Sequence, residues 1–292
     1  MVEILIDAHV HLWERQQGMV NGKPVFGIGG GRSNFGGEIR QMMPPYMEDG
    51  KNTVERLMAN MDYAGVSAAV VTQEYIDGNQ DEYLLTAKDK YKNRLKICSL
   101  YEENEKWRLE GFDGLKICAS RLKDKNLIKL LPVFKKVEEA GKFISIDLAD
   151  GKEQVQDMQA LIDACPDLRI AIGHFGMVTT PGWQKQIALA CNKNVYIESG
   201  GLTWLFNKEF YPYHEAIDAI LEARNICGMD KLMWGSDYPR TMTAITYKMS
   251  TDFILKTDKM TVEEKIAFLG DNAVRFYGFS GLQKPEPIAD ML

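Results

Sequence analysis

The chain has 292 residues, 45% of them hydrophobic, which is enough to bury a large core in one α/β barrel or in two smaller domains. Lysine and arginine number 35 against 41 aspartates and glutamates, and the net charge of −6 comes without a basic stripe, which argues against a nucleic-acid partner. Apolar stretches such as 67–71 are far shorter than the roughly 18 residues of a membrane helix, and acidic residues at the start do not fit a secretion signal. We therefore expect a cytoplasmic protein with no membrane partner. Its cysteines are widely spaced and are expected to be reduced thiols: Cys98, Cys118, Cys165, Cys191 and Cys227.

Short apolar stretches alternate with segments of helical spacing along the whole chain. The stretches have the length and the β-branched or aromatic content of buried parallel strands, and they are 3–8, 67–72, 94–100, 114–119, 142–148, 169–174, 194–199 and 231–236. Eight strand–helix units in this length predict a single (β/α)8 barrel, of the TIM-barrel class, over residues 1–292. An open doubly wound sheet is the alternative.

Three helices have clear end signals. One is predicted over 52–65, with Thr53 as a candidate cap and Gly65 as its stop, and another over 153–165. A capping box that begins at Thr261 opens a last helix. The apolar faces expected to pack on the barrel are Val54, Leu57, Met58 and Met61 in the first helix and Val262, Ile266 and Leu269 in the last.

Residues 14–50 form one long, glycine-rich connection after the first strand. Its glycines do not make a nucleotide-binding fingerprint, because Arg32 stands where the third glycine would be required. A long excursion from this end of a barrel is expected to lie across its mouth as a lid or pocket wall. The alternative is a disordered surface loop.

Two of the four histidines, His9 and His11, lie at the end of the first strand. Side chains two residues apart in a strand project to the same face, so the two imidazoles point together, with Asp7 in line behind them. Active sites of barrels are built at the carboxyl ends of the strands, where paired imidazoles make a partial metal site. Two ordinary histidines, one packed and one solvated, are the alternative interpretation.

Two more chemical groups end later strands. His174 closes the sixth strand in "IAIGHFG" and is a candidate third metal ligand or a free base. Asp237 follows the eighth strand in "LMWGSDYP", where a carboxylate beside a cation can stay ionised and take a proton from water. The alternatives are a core histidine and an aspartate in a plain turn.

The motifs "DAHVH", "GHFG" and "WGSDYP", each closing a predicted strand, resemble the signature set of the amidohydrolase superfamily. They are most similar to the amidohydrolase-related branch, which includes 2-pyrone-4,6-dicarboxylate lactonase, sugar lactonases and several nonoxidative decarboxylases. The segments "NMDYAGVSAAVV" and "EEKIAFLGDNAVRFYGF" extend the likeness over nearly the whole chain.

The resemblance implies one divalent metal ion, zinc or manganese, with His9, His11, His174 and Asp237 as candidate ligands. The decarboxylases carry a further histidine at the end of strand five, whereas this chain reads "FISIDLAD", with Asp147 and Asp150 instead. This departure favours the lactonase side, where the pyrone lactonase works without metal. A metal-free site, in which the histidines form the electrophilic pocket themselves, is therefore also open.

Polar and aromatic residues expected on the rim complete the candidate pocket. Those expected to contact substrate are Tyr75, Lys116, Arg121, Trp204, Tyr238 and Arg240, with Glu74 beside them. Arg121 or Arg240 would hold a substrate carboxylate in a bidentate fork. Cys118 also ends a strand, but it is expected to be a small buried hydrophobe rather than a nucleophile.

The sequence thus predicts a metal-assisted hydrolase of a small cyclic ester or related carbonyl compound. Asp237 is the predicted general base, and His174 the group that binds or polarises the carbonyl. The second hypothesis is a nonoxidative decarboxylase that uses the same residues on an aromatic or unsaturated carboxylic acid. The third is an inactive barrel that serves as a binding or assembly protein. The partner expected is a small-molecule substrate, and the resemblance adds a possible homodimer.

Overall fold

The strands of this protein form two sheets in a computed structural model that describes residues 3–289. The strands are β1 (Ile6–Val10), β2 (Gln17–Val20), β3 (Lys23–Gly29), β4 (Arg32–Phe35), β5 (Glu38–Gln41), β6 (Ala68–Val71), β7 (Leu95–Leu100), β8 (Gly114–Cys118), β9 (Phe143–Asp147), β10 (Arg169–Ile172), β11 (Val195–Glu198) and β12 (Leu232–Met233).

The larger sheet is parallel and follows chain order, β1-β6-β7-β8-β9-β10-β11-β12. The backbone closes it into a barrel, because the Ala8 N–H donates to the Trp234 carbonyl at 2.9 Å and the Asp237 N–H donates to the His9 carbonyl at 3.0 Å. The prediction of a (β/α)8 barrel, with all eight of its strands, is confirmed.

Helices connect and surround the strands. They are α1 (Val54–Ala64), α2 (Asp81–Lys90), α3 (Leu131–Glu139), α4 (Val155–Ala164), α5 (Gln184–Ala188), α6 (Leu202–Leu205), α7 (His214–Cys227), α8 (Met249–Lys256), α9 (Val262–Ile266) and α10 (Asn272–Tyr277). The helices that face the barrel bury apolar side chains against it, as the predicted face of α1 does in full. No helix formed by the described residues combines the length and the apolar character that crossing a membrane requires.

The three helices with predicted end signals are present, and two details of their ends and faces differ from the prediction. Thr53 occupies the position before α1, but its side chain makes no capping hydrogen bond; the first helical N–H, that of Val54, donates to the Tyr83 hydroxyl at 2.8 Å. The Thr261 capping box is present, yet Val262 is 54% exposed, so its predicted place on the apolar face is wrong. A π-helical turn, Ala267–Asp271, follows α9 and rotates the buried face onto Phe268 and Leu269.

The glycine-rich connection contains a sheet of its own. Strands β2, β3, β4 and β5 pair antiparallel in chain order, so much of the expected long loop is regular structure. The sequence signals for this sheet are its two-residue hairpin turns, which require residues that adopt positive φ. Asn21 and Gly22 have φ of 51° and 73°, and Gly36 and Gly37 have φ of 61° and 107°. The disordered alternative does not fit this arrangement.

The small sheet is attached to the barrel rim through β2. The N–H of Met19 donates to the Tyr75 carbonyl at 2.8 Å, and the N–H of Gln17 donates to the Asp77 carbonyl at 3.1 Å. Gly18 lies between them, and a Cβ on it would stand 2.1 Å from the Tyr75 carbonyl oxygen. Only glycine therefore allows this approach of the two backbones.

We expect Gly18→Ala to separate the small sheet from the rim, since the added methyl meets backbone that cannot move away cheaply. The free energy of unfolding should fall by about 1–3 kcal/mol, the usual cost of overpacking, and residues 20–42 should become sensitive to protease. Denaturant unfolding and limited proteolysis measure the two effects. Gly27→Ala in β3 is the matched control, because a Cβ there has its nearest neighbour at 3.8 Å. Equal behaviour of the two variants contradicts the attachment.

Candidate active site

The carboxyl ends of the barrel strands bring the predicted histidines and Asp237 to one place. His9 Nε2 and His11 Nε2 lie 3.0 Å apart, and Asp237 Oδ1 lies 3.2 Å from His11 Nε2 and 3.8 Å from His9 Nε2. All three side chains are at least nine-tenths buried. Three potential ligand atoms from β1 and from the segment after β12 thus surround one point.

A buried carboxylate lies behind the imidazole of His9 and another behind that of His11. His9 Nδ1 is 2.6 Å from Glu198 Oε1, at the end of β11, and His11 Nδ1 is 3.3 Å from Asp77 Oδ2, after β6. A carboxylate beside Nδ1 favours a proton there and directs Nε2 at the shared point, where that nitrogen carries either a proton or a cation. Neither carboxylate was predicted from the sequence, although Glu198 ends a buried strand, the same signal that identifies Asp237.

These donors fit a divalent cation. Imidazole nitrogens bind zinc at about 2.0–2.1 Å, so two nitrogens on one ion lie about 3 Å apart, as the two Nε2 atoms do here. Two lone pairs directed at each other also repel unless a proton or a cation lies between them. Among residues 3–289 the groups whose ligand atoms all lie within 4.8 Å of one another are His9, His11 and Asp237, and His9, Asp147 and His174.

The charges in the cluster are strongly coupled. Burial lowers the pKa of His9, whereas the pKa of His11 is raised to about 10, because hydrogen bonds to Asp237 and Asp77 outweigh its burial. Burial by itself would raise the pKa of Asp237, but the hydrogen bond to His11 and the nearby imidazoles hold it below its usual range. Asp237 is therefore ionised at neutral pH.

Asp237 is held from its other side by Trp204. The indole Nε1–H donates to Asp237 Oδ2 at 2.5 Å, which leaves Oδ1 for the histidines. The Arg240 guanidinium stacks on the same indole, 3.7 Å from the ring centroid. Asp237 has a φ of 59° and His174 a φ of 57°, values that are uncommon outside glycine and cluster at functional sites.

His174 lies beside the cluster on the side of β9. Its Nδ1 is 2.9 Å from the Gly200 carbonyl, and its Nε2 is 3.6 Å from Asp147 Oδ2. Burial lowers its pKa, but the charge of Asp147 outweighs this and raises the pKa to about 9. The charge of Asp147 therefore favours the protonated form of His174.

Lys116 and Asp147 form a buried ion pair inside the barrel. Lys116 Nζ is 2.7 Å from Asp147 Oδ1, and Lys116 is fully buried. The lysine thus faces the barrel interior, where its charge already has a partner. Asp147 is the last residue of β9.

The other predicted pocket residues are dispersed. Tyr238 is fully buried in the core, where its ring lies 5.6 Å from that of Tyr247, so its expected contact with a substrate does not fit its position. The Tyr238 side chain points away from the histidines because the side chain of Asp237, its neighbour in the chain, points toward them. The Tyr75 hydroxyl donates to the Tyr101 carbonyl at 3.0 Å, and Arg121 pairs with Glu74 at 3.1 Å. Burial raises the pKa of Cys118, as expected of an inert thiol.

A small cavity opens above the cluster. Its volume is about 50 Å³, and its walls are His11, Trp13, Met42, Glu74, Ile76, Asp77, His174, Asp237, Pro239 and Arg240. Met42 comes from the glycine-rich connection, which therefore forms part of the wall. Among the described residues, no carboxylate pairs with Arg240, so its charge is available at the mouth.

Asp7 fixes the backbone beneath the cluster. Its Oδ1 accepts from the N–H groups of His9 and Ser236, at 3.1 and 2.8 Å, and its Oδ2 accepts from the hydroxyls of Ser236 and Tyr247, at 2.5 and 2.8 Å. Burial raises the pKa of Asp7 to about 7, against the effect of these hydrogen bonds. The first strand and the segment before Asp237 are thereby tied together.

Known proteins share this fold and sequence pattern. A family model described as Amidohydrolase matches residues 6–279. An amidohydrolase structure from Burkholderia multivorans with bound zinc has a TM-score of 0.69 at 16% identity, covering 95% of this chain and 100% of that one. A probable 2-pyrone-4,6-dicarboxylic acid hydrolase from Acinetobacter baumannii, with citric acid bound, has 0.67 at 21%, covering 96% and 100%.

A third structure is similar over less of the chain. It is 5-carboxyvanillate decarboxylase from Novosphingobium aromaticivorans, complexed with manganese and 4-hydroxy-3-methoxy-5-nitrobenzoic acid. Its TM-score is 0.56 at 18% identity, with coverage of 76% of this chain and 79% of that one. No curated protein matches the chain.

We expect Glu198→Gln to destabilise the protein by about 1–3 kcal/mol, because both glutamate oxygens accept from nitrogen donors and an amide would turn an N–H toward another N–H. Asp7→Asn should cost less, since the two hydroxyls at its Oδ2 can rotate to accept from the new amide. Denaturant unfolding of both variants measures the difference. A larger loss for Asp7→Asn contradicts this account of the two carboxylates.

Proposed function

Because the chain belongs to the amidohydrolase family, we propose that it is a metal-assisted hydrolase of a small cyclic ester, a lactone, or a related carbonyl compound. The observation that carries the proposal is the cluster of His9, His11 and Asp237, with a carboxylate behind each imidazole. A purely structural barrel has no need to bury so many charges together, because buried charges are costly unless a function retains them.

The cation would be held by His9, His11 and Asp237, with zinc or manganese as the candidates. Bound there, it would supply a Lewis acid for the carbonyl and lower the pKa of a water molecule toward about 7. His174 and Asp147 lie close enough to join or replace part of this set. The bound zinc and manganese of two structures with this fold support a divalent metal.

The chain's own groups divide the remaining work. Asp237, ionised and oriented by Trp204, takes a proton from the attacking water at Oδ1 and returns it to the leaving oxygen of the opened ring. His174, protonated beside Asp147, donates to the carbonyl oxygen as negative charge develops on it. Arg240 binds a substrate carboxylate at the mouth. Trp204 contacts both Arg240 and Asp237, so it orients the carboxylate-binding group as well as the base.

The glycine-rich connection acts as the lid. The cavity of about 50 Å³ holds no more than a few atoms, whereas ligand pockets usually measure about 300–1,000 Å³. Substrate entry therefore requires Met42 and its segment to move outward, or Arg240 to rotate. Closure afterwards would exclude water from the site.

The second candidate is a nonoxidative decarboxylase using the same cluster, with Asp237 or His174 protonating carbon. The similarity to the decarboxylase structure favours it. Against it, the resemblance to the decarboxylases implies a histidine at the end of strand five, where this chain has Asp147, paired with Lys116. A screen of lactones and of aromatic and unsaturated carboxylic acids separates the two. Ring opening releases one proton per ester, whereas decarboxylation releases carbon dioxide.

Asp237→Asn is expected to reduce kcat by about 10²–10⁴, because an amide cannot accept the proton, while its oxygen still accepts from Trp204. The melting temperature should stay close to that of the wild type. The exposed Asp150→Asn is the matched control and should keep full activity. A collapse of stability in Asp237→Asn would show that the carboxylate is structural.

His9→Ala should remove the metal, since it deletes one of two nitrogen ligands. Elemental analysis of the purified variant measures the metal content per chain. His214→Ala changes the exposed histidine at the start of α7 and should leave the content unchanged. The metal assignment is contradicted if His9→Ala retains the metal. It is also contradicted if the wild type is fully active after chelation and no metal is recovered.

Trp204→Phe should lower kcat by about 10–100-fold with little change in KM, because phenylalanine keeps the stacking surface for Arg240 but loses the N–H that orients Asp237. Arg240→Gln should instead raise KM for a carboxylated substrate, with kcat nearly preserved. Steady-state kinetics on the same substrate gives both values. If Trp204→Phe changes KM alone, the indole does not position Asp237.

A further inference from the structure

The small antiparallel sheet ends in a strand with an open edge. β5 pairs with β4 on one side, and all four of its residues, Glu38–Gln41, are exposed. No residue in the described range donates or accepts a backbone hydrogen bond at its outer side. Open edges of this kind are templates for pairing with another strand.

The turn between β4 and β5 sets which backbone groups face outward. A two-residue turn, Gly36 and Gly37, closes on the pair of Phe35 and Glu38, so the amide of Glu38 faces β4. The N–H of Met42 donates to the Gly31 carbonyl at 2.9 Å, in the same alternation. The N–H and C=O groups of Ile39, one residue out of phase, therefore point away from the sheet.

One face of the sheet carries three exposed apolar side chains, Met19, Phe26 and Ile39. Register places Phe26 opposite Asn34 and Asn34 opposite Ile39, so the three side chains form one row on one face. Phe26 is 42% exposed and Ile39 58%, and Met19, at 52%, lies on the same face through its pairing with Pro24. The row ends at the open edge, where Ile39 has no neighbour beyond it.

We propose that this edge pairs with the same strand of a second copy of the chain, antiparallel about a two-fold axis at Ile39. Ile39 then lies opposite Ile39 of the partner subunit and exchanges both of its outward hydrogen bonds with it. Glu38 lies opposite Arg40 of the partner subunit, and the axis repeats this pair. The two small sheets join into one eight-stranded sheet, with the apolar rows continuous across the axis.

Charge selects this register. Centring the axis on Arg40 also aligns outward-facing backbone groups, but it sets two guanidinium groups directly opposite each other, which is unfavourable. Centring it on Ile39 pairs each acid with a base. Glu38 and Arg40 already form an exposed ion pair within one chain, 2.7 Å apart, so the dimer converts two separate pairs into a ladder of four charges.

The experiment is sedimentation equilibrium of the full chain from micromolar to millimolar concentration, on the wild type, four edge variants and one control variant. Glu38→Arg and Arg40→Glu each place like charges opposite one another twice, and each should raise the dimer dissociation constant by about tenfold or more. The double exchange Glu38→Arg/Arg40→Glu restores complementarity and should restore the dimer. Ile39→Lys should abolish it by setting two ammonium groups at the axis.

Circular dichroism and melting temperature verify that each variant folds, and exchange of the exposed pair Glu55 and Lys90 is the control for a surface charge change far from the edge. Rescue by the double exchange supports the proposal, because no damage to a single chain would be repaired in that way. A wild type that stays monomeric at millimolar concentration overturns it and leaves the edge to a different partner. A dimer unaffected by all of the edge variants also overturns it, since another surface must then be responsible.

Discussion

The backbone seam between the first and the last barrel strand is the constraint on which the site depends. His9 and Asp237 are more than two hundred residues apart in sequence, yet the N–H of Asp237 donates to the His9 carbonyl at 3.0 Å, and the N–H of His11 donates to the Tyr238 carbonyl at 2.9 Å. Asp7 reinforces the seam by accepting hydrogen bonds from both sides of it. Closing the barrel and assembling the cluster are therefore one structural event.

The carboxylates behind the histidines extend this logic outward. Glu198 fixes His9 from β11, and Asp77 approaches His11 from the segment to which the small sheet is attached. The glycine-rich connection and one imidazole thus contact the same short stretch of backbone, since the carbonyl of Asp77 accepts from the N–H of Gln17 in β2. Movement of the connection would displace Asp77, which lies beside His11, and so would change the surroundings of that imidazole directly. Pairing of two lids, as proposed, would restrain the same stretch.

Much of the fold could be predicted because its signals are local. Eight apolar stretches of strand length, separated by helical spacing, lead to a barrel, and residues that end strands lead to the rim. The charges inside the barrel were harder to predict, since Lys116 reveals its partner Asp147 only once β8 and β9 are paired. The side-chain direction of Tyr238 is not evident from the sequence either: its ring lies beside Tyr247, whereas its neighbour Asp237 faces the histidines. The two-residue turns at 21–22 and 36–37 are the sequence signal for the small sheet, but a glycine-rich composition also favours a loop, so the composition does not distinguish the two.

Anomalous diffraction from a crystal of the zinc- or manganese-loaded protein tests the central claim most directly. The account predicts one strong peak about 2.0–2.2 Å from His9 Nε2, His11 Nε2 and an oxygen of Asp237. A peak at any other place, or none at the strand ends after loading, would contradict it, because the convergence of these three groups would then serve a purpose other than binding a cation.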